Sequence, residues 1–425
     1  MFKKFCLTLV FLFLTAIDTY AAGPITPGEV LNLQQCVEIA LQNHPYIHAA
    51  RETVRVYESR IGQARAGYLP QLTFESGYQR IGAASLSGVD VDPYNRYSNS
   101  LNLNQLLFDF GKTFNQIQIQ SLSTESARAD FRDVSGQVIF NVKQAYYVYL
   151  QAKMSVDVAR ETVNQFQQHF ERATAFFETG TRSKIDVTSA EVNLSNSKIS
   201  LLKAENTLRL ARVNLNNAMG LTNAPAYEIK ETLSYAPHNI SLEQALKKGY
   251  ENRPDIISTT KKKEALEKTV LLNQKGYLPV LSGSAAYGYL GNDTTTDKNW
   301  NVGVFLTFPL FTGLSTKYQI DEARANLNVL KANENYLLQA VSLEIESAYL
   351  SLNEARERID AGKVIVRQAE ENVELARGRY EAGVGSSIEI TDAMITLNNA
   401  KMTYITALAD YQVAWANLEK AMGEN

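Results

Sequence analysis

The sequence repeats itself, and this repetition constrains the fold more than any other feature. The phrase GYLP occurs at 67–70 and again at 276–279, and LNLQQCVEIALQNHP at 31–45 corresponds to ISLEQALKKGYENRP at 240–254. Each half also ends on the tripeptide AMG. Because an internal repeat implies that one supersecondary plan is built twice, we expect the same order of elements in both halves.

The amino terminus predicts export. Two lysines precede the apolar run FCLTLVFLFLTA, and small residues follow at Ala21 and Ala22. This is the layout of a secretory signal peptide, and the run is too short to span a bilayer as a helix. We therefore assign 1–22 to a cleaved signal peptide, which leaves a first repeat at 23–220 and a second at 221–425.

Composition excludes several functional classes. The mature chain keeps one cysteine, Cys36, so it cannot form an internal disulfide. A formal net charge of -3 with 20% charged residues does not predict a nucleic-acid surface. His44 and His48 have the spacing of two metal ligands, but Pro45 separates them and no further ligands converge. We expect no metal, no cofactor and no enzymatic activity.

Each half predicts a short helix, a longer helix, a β-hairpin and two long helices. The predicted short and longer helices are 33–43, 45–66, 242–252 and 254–275. After each GYLP the apolar residues alternate with period two, as in Trp300 to Phe308, which is typical of strands. Polar, turn-rich residues near 90–95 and 291–297 predict the loops of two hairpins.

The long helices follow from a lack of helix breakers. Lys112 to Thr179 contains no proline, and Thr316 to Ala382 matches it. After Gly180 and Gly383 a second helix begins in each half. In the helix after Gly383, small residues recur every seven positions, and larger residues lie between them. The small residues are Ala393, Ala400, Ala407, Ala414 and Ala421. This spacing is typical of a left-handed coiled coil, so the predicted fold is mainly α, with long antiparallel coiled-coil helices and four strands.

The four predicted strands are long enough to cross a membrane, since about ten tilted residues span its apolar layer. Four strands cannot close a barrel, which needs about eight, and an open sheet edge is costly in lipid. Several copies would therefore share one barrel, and three would supply twelve strands. Tyr68, Tyr277 and Trp300 lie near strand ends, as aromatic residues at a membrane interface do. A water-soluble hairpin is the alternative interpretation.

Several ordered motifs resemble the TolC family of outer-membrane efflux and secretion channels. They include RYEAGVGSSIEITDA at 379–393, FFETGTRSKIDVTSA at 176–190, the LFDFG and LFTG junctions, and the two AMG ends. The resemblance covers nearly the whole mature chain. It implies a homotrimer with a twelve-stranded outer-membrane β-barrel, a periplasmic helical tunnel that holds most of the mass, and a collar from 23–44 and 221–253.

The same resemblance implies partners and a transport mechanism. A periplasmic adaptor (membrane fusion) protein and an inner-membrane transporter would engage the periplasmic tip, and small molecules or proteins would leave through the channel. The tip turns that would contact the adaptor are Gly180, Thr181, Ser183, Gly383, Val384, Gly385 and Ser386. A soluble periplasmic adaptor or scaffold with helical hairpins is the alternative function, although this chain has two hairpins where an adaptor has one.

Gate residues are also implied by the resemblance. The implied periplasmic gate positions are Tyr380, Glu389, Asp392, Asp186 and Arg182. Gly385 stands where the family has its gate arginine, and Arg182 occupies the corresponding place in the first hairpin. Both hairpins also spell S-x-x-acid at a helix start, which predicts a capping box. Capping therefore remains an alternative role for Glu389 and Asp186, and the two roles can coexist.

Overall fold

The structure is a computed structural model that describes residues 26–83, 91–229, 233–292 and 295–424. The predicted signal peptide lies outside the described residues. The chain forms two compact units: one contains the residues up to Pro45 and Asn141–Leu233, and the other contains Tyr46–Phe140 and Ser234–Asn425. These units cut across the two sequence repeats, whose boundaries stay a prediction.

In chain order the elements are β1 (Val30–Leu31), α1 (Leu33–Asn43), α2 (Pro45–Ala66), β2 (Gln71–Ala83), β3 (Val91–Phe108), α3 (Lys112–Glu178), α4 (Lys184–Ala218), β4 (Glu228–Ile229), α5 (Leu242–Asn252), α6 (Pro254–Gln274), β5 (Val280–Asn292), β6 (Thr295–Thr307), α7 (Ser315–Glu381) and α8 (Ser387–Ala421). A short 3₁₀ turn at Lys275–Tyr277 follows α6. The predicted helices are present, and α3 and α7 are each 67 residues long.

Two features of the strands differ from the sequence prediction. The predicted hairpin loops at 90–95 and 291–297 are mostly strand, because β3 begins at Val91, β5 ends at Asn292 and β6 begins at Thr295. Polar residues do not end these strands: Arg80 pairs with Asn95, and Leu290 pairs with Asp297, within the sheet. The parallel pair of β1 and β4, which joins Val30 to Glu228, was not predicted at all.

The first unit contains α1, the second part of α3 and all of α4. Asn32 caps α1 through a reciprocal capping box with Gln35, as the S/T/N-x-x-Q pattern favours. Cys36 is fully buried, and this burial raises the pKa of its thiol to about 12. The thiolate is therefore scarce at neutral pH, and Cys36 is a packing residue rather than a reactive one.

The second unit contains one four-stranded antiparallel sheet in the order β2-β3-β5-β6. Its register aligns Phe74, Leu101, Tyr287 and Trp300 in one row across all four strands. The next row along the same face joins Leu72, Leu103, Ala285 and Val302. Because side chains alternate along each strand, this face is apolar and the opposite face carries Thr, Asn, Ser and Glu side chains.

The long helices of the second unit pack as a coiled coil. The predicted seam of α8 is buried, including Ala393, Ala407 and Leu418. The buried side chains of α7 lie four and three residues apart in alternation, except for one step of seven after Gly362: Val341, Ile345, Ala348, Leu352, Ala355, Ile359, Gly362, Ala369, Val373, Ala376 and Tyr380. At Gly362 an added Cβ would lie 3.2 Å from a ring carbon of Tyr404, so the small residue permits close helix approach. Among the described residues no helix is long and apolar enough to cross a membrane.

Candidate functional site at the two hairpin tips

Both helical hairpins turn through the same backbone motif. Gly180 and Gly383 follow α3 and α7 with φ values of 75° and 79°, a left-handed conformation that favours glycine. The N–H of Thr181 donates to the carbonyl of Phe176 at 2.9 Å, and the N–H of Val384 donates to the carbonyl of Arg379 at 3.0 Å. These are the bonds of a Schellman C-cap, which ends a helix and reverses the chain.

In the first tip Asp186 closes a capping interaction. Its Oδ2 accepts hydrogen bonds from the backbone N–H of Ser183 at 3.2 Å and from the Ser183 hydroxyl at 3.0 Å. The carboxylate therefore satisfies a donor at the start of α4, where the helix dipole also favours negative charge. This is the capping role that the sequence left open for Asp186.

A buried histidine lies close to this tip. His169 on α3 is 1% exposed and lies about one helical turn before Ala173. Ala173 packs with Val187 and Ala190 of α4. Burial lowers the pKa of His169, Arg172 lowers it further, and the carboxylate of Asp186 opposes them. Its neutral form is thus the one that fits the hairpin, a feature that the sequence analysis missed.

In the second tip the acid makes a different contact. Ser386 caps α8 by accepting a hydrogen bond from the backbone N–H of Glu389 at 3.2 Å. The Glu389 carboxylate instead accepts from Nε of Arg379, also at 3.2 Å. Both side chains are partly exposed, at 57% for Arg379 and 47% for Glu389. Glu389 therefore forms an ion pair across the turn.

The second turn has no room for an arginine side chain at position 385. A Cβ added to Gly385 would lie 2.9 Å from the Cβ of Arg379 and 3.0 Å from the backbone nitrogen of Tyr380. Such contacts are too short for an undisturbed turn. In the first tip the equivalent residue is Arg182, whose N–H donates to Phe176 at a longer 3.3 Å. The two tips thus carry their arginine on opposite sides of the same turn.

The remaining predicted gate residues differ in exposure. Tyr380 is almost fully buried as the last seam residue of α7, so it packs within its own hairpin. Asp392 is exposed one turn into α8, and its backbone carbonyl accepts a hydrogen bond from the side-chain hydroxyl of Thr396. The structure thus places Tyr380, Glu389 and Asp392 in the second tip, and Asp186 and Arg182 in the first. Their role in gating stays a prediction.

The GYLP turns lie where helices meet strands. Gln105 of β3 donates to the carbonyl of Tyr68, and Lys112 at the start of α3 donates to the carbonyl of Leu278 at 2.7 Å. Lys275 donates in turn to the carbonyl of Gly111 at 3.1 Å. In each GYLP segment one backbone carbonyl thus accepts a hydrogen bond from a side chain of β3 or α3. Tyr68, Tyr277 and Trp300 are all exposed, and their membrane-interface role stays a prediction.

Arg379 is the tip residue that sequence reasoning missed. It is ten positions from Glu389, so no helical spacing connects the two residues, and only the turn brings them together. The charge pattern could have indicated this contact, because Arg379 is the one basic residue of the segment 379–392. Among the described residues no cluster of three or more His, Cys, Asp or Glu side chains could hold a metal ion.

The comparisons with known proteins identify the family. A family model described as "Outer membrane efflux protein" matches residues 36–221 and 245–424. Outer membrane protein TolC of Salmonella enteritidis is 24% identical over 439 residues, which cover 95% of this chain and 84% of that protein. The alkaline protease secretion protein AprF of Pseudomonas aeruginosa is 23% identical over 429 residues, covering 96% and 86%.

The fold agrees with these relatives. The crystal structure of the Campylobacter jejuni CmeC outer membrane channel matches with a TM-score of 0.79 and 20% identity, covering 92% of this chain and 85% of that one. Together the matches support an outer-membrane efflux or secretion channel. They do not support the soluble periplasmic adaptor or scaffold, because they extend over both hairpins and the sheet. The chain therefore belongs to the outer membrane efflux protein family.

Proposed function

We propose that three copies of this chain form one channel through which cargo crosses the outer membrane. Each copy contributes four strands to a twelve-stranded barrel, and its helical hairpins extend into the periplasm. The observation that carries this proposal is the uncovered apolar face of the four-stranded sheet. No described helix packs over the rows that contain Phe74, Trp300 and Val302, and Val302 is 74% exposed.

The exposed apolar face of the four-stranded sheet requires a cover. Monomeric soluble proteins rarely expose a contiguous apolar patch beyond a few hundred Å². Lipid is the cover that fits, since the apolar face lies between exposed aromatic residues at its ends and the opposite face is polar. The polar face would line a water-filled passage.

The sheet edges require further copies. β2 and β6 are each paired on one side only, and an unpaired edge in lipid costs several kcal/mol for each unsatisfied group. The order β2-β3-β5-β6 is antiparallel throughout, so β6 of one copy can continue into β2 of the next with the same alternation. Closure with three copies gives a barrel wider than the smallest that fill themselves.

The helices also expose apolar stripes that a second copy would cover. On α7 the exposed residues Val329, Tyr336, Leu343 and Leu350 recur every seven positions. On α4 the exposed residues Ile185, Val192 and Ile199 have the same spacing. A heptad stripe on the outside of a long helix is the pattern of a helix that packs against a partner helix. These stripes support assembly beyond the single chain.

The proposed partners and cargo are inferred from the family, and less from the geometry of the hairpin tips. We propose that a periplasmic adaptor contacts the tip turns at 180–183 and 383–386, and that an inner-membrane transporter supplies the cargo. The relatives include proteins named for efflux and for protease secretion. Both small molecules and proteins thus remain candidate cargo. The family is one of transport proteins, and we propose no catalytic activity.

A matched pair of substitutions in β6 tests the channel. Val302→Lys places a charge on the apolar face, where a lysine in the bilayer costs about 2–4 kcal/mol. Asn301→Lys places the same charge on the polar face, one residue away. We expect Val302→Lys to reduce the amount of detergent-extractable trimer in the outer-membrane fraction, while Asn301→Lys retains it. Equal behaviour of the two variants, or wild-type protein recovered as a water-soluble monomer, would contradict the proposal.

A further inference from the structure

The apolar face of the four-stranded sheet becomes polar toward its hairpin ends. Near the helices its rows are apolar, as in the pair of Leu72 with Leu103. Beyond the row that contains Phe74 and Trp300, three rows of the same face are rich in polar residues and tyrosines. We call them the outer rows, and they consist of Ser76, Asn99, Tyr289 and Lys298, then Tyr78, Tyr97, Gly291 and Thr296, then Arg80 and Asn95.

Charge is sorted between the two faces of the sheet. The outer rows contain two charged residues, Arg80 and Lys298, and both are basic and exposed. Among these described positions there is no carboxylate, because Glu75 and Asp297 alternate onto the opposite face. The apolar face therefore ends, on the side away from the helices, in a surface of cations, hydroxyls and phenols.

We propose that the outer rows bind a phosphorylated glycolipid of the outer leaflet, whose phosphate groups contact Arg80 and Lys298 and whose sugar rings contact the tyrosines. This inference rests on the proposed function, which directs the helices into the periplasm and therefore the hairpin ends to the outer leaflet. It adds a lipid ligand and a binding surface that the passage of cargo does not require.

The two cations suit phosphate in different ways. The Arg80 guanidinium can bind two phosphate oxygens at once, and the Lys298 ammonium acts as a compact point charge. They lie on the edge strands β2 and β6. In the proposed trimer, Lys298 of one copy and Arg80 of the next would therefore project from adjoining strands on the same face. Each junction between copies would carry two cations, which matches a lipid with two phosphates.

The tyrosines and amides of the outer rows form a surface that fits a sugar better than an acyl chain. The rings of Tyr78 and Tyr97 lie 5.2 Å apart at an interplanar angle of 40°, and the Tyr78 hydroxyl donates to Oδ1 of Asn95 at 2.9 Å. The Ser76 hydroxyl donates to Oδ1 of Asn99 at 2.7 Å. Tyrosine presents an apolar ring together with a polar hydroxyl, and amides and hydroxyls are hydrogen-bond partners for sugar hydroxyl groups.

A purely interfacial role is the competing explanation. Lysine and arginine near a membrane surface extend their charged ends toward any headgroup, and tyrosine is common at such surfaces. Binding would then follow the number of phosphates and would ignore the sugar. The two explanations therefore differ in whether the outer rows distinguish two lipids that carry the same number of phosphates.

Native mass spectrometry of the full-length protein in detergent distinguishes the two explanations. The probes are diphosphoryl lipid A, which carries two phosphates on a disaccharide, and cardiolipin, which carries two phosphates and no sugar ring. Phosphatidylethanolamine serves as the reference without net charge. We expect the wild-type protein to bind diphosphoryl lipid A several times more tightly than cardiolipin, and cardiolipin more tightly than phosphatidylethanolamine.

Charge removal on the two faces provides matched variants. Arg80→Gln and Lys298→Gln should each weaken lipid A binding about fivefold, the usual effect of one cation near an anionic lipid surface. Arg96 pairs with Gln79, the neighbour of Arg80, and lies on the opposite face. Arg96→Gln removes the same charge there and should leave lipid A binding unchanged. Tyr78→Leu keeps an apolar side chain but should reduce the preference for lipid A over cardiolipin.

Three results would overturn the assignment while leaving the channel intact. These are equal binding of lipid A and cardiolipin, equal effects of Arg96→Gln and Arg80→Gln, and unchanged lipid A binding when Arg80→Gln and Lys298→Gln are combined. If a neutral variant fails to assemble, the comparison of lipids on the wild-type protein still tests the assignment, since it needs no substitution. Wild-type protein recovered only as a monomer would instead contradict the proposed function.

Discussion

The two hairpin tips share a backbone turn but use their charged side chains differently. In the first tip Asp186 binds both donors of Ser183 and serves the start of α4. In the second tip Ser386 caps α8 and leaves the Glu389 carboxylate to pair with Arg379. The duplication has therefore kept the turn, which glycine and the Schellman bonds fix, and has changed the ion pairs, which the turn does not fix.

This difference follows from a single position. Gly385 lets the second turn pack closely on Arg379, whereas the first turn carries Arg182 at the same place. A close turn brings the ends of two helices together and favours a pair between them. The first tip has an aromatic residue, Phe176, where the second has Arg379, so it cannot form that pair. The repeat has thus preserved the shape of its turn while the electrostatics of the turn have changed.

The largest expected effect is on the second turn itself. Gly385→Ala introduces a Cβ at 2.9–3.0 Å from Arg379 and Tyr380, and overpacking of this kind costs about 1–3 kcal/mol. We expect faster amide hydrogen exchange at 379–390. Gly378→Ala is the control on the same helix, since an added Cβ there meets nothing within 4 Å. If the two alanine variants exchange alike, the close packing of the second turn is wrong.

A smaller effect is expected from removal of the acids. Asp186→Ala removes the acceptor for both Ser183 donors, which should cost about 1 kcal/mol at the start of α4. Glu389→Ala keeps the Ser386 cap and loses only an exposed ion pair, worth about 0–1 kcal/mol. Local hydrogen exchange at the first turn of each helix measures the difference. Greater fraying of α8 than of α4 would reverse the assigned roles.

The smallest effect is a pH dependence confined to the first tip. Since the pKa of His169 is lowered by burial and by Arg172, the folded hairpin binds its proton less readily than the unfolded chain does. Stability is therefore full above the ordinary value of 6.5 and falls as pH drops below it. The effect is limited because Asp186 partly stabilises the protonated ring.

Exchange into 165–190, corrected for the intrinsic pH effect, measures this dependence. We expect this corrected exchange to be faster at pH 5.5 than at pH 7.5, two values that lie on either side of the ordinary histidine pKa of about 6.5. His169→Asn installs the residue that the second repeat has at the equivalent position, Asn372, and should remove the acceleration. Equal acceleration in the variant would show that His169 does not titrate in this range.

The sequence predicted the elements well because their signals are local or periodic. The heptad alanines of α8 are buried as expected, and Gly180 and Gly383 end α3 and α7 within two residues of the helix ends. The pair of β1 and β4 could not be predicted, because two residues carry no period. The contact of Arg379 with Glu389 could not be predicted either, since it depends on how closely a turn packs rather than on residue spacing.

We propose that one chain cannot complete its own sheet and that three copies do so together. Native mass spectrometry of the full-length protein extracted from the outer membrane in detergent tests this claim most directly. We predict a single species with the mass of three mature chains, which persists at protein concentrations that dissociate weak complexes. A species with the mass of one chain, with its sheet edges still folded, would contradict the account.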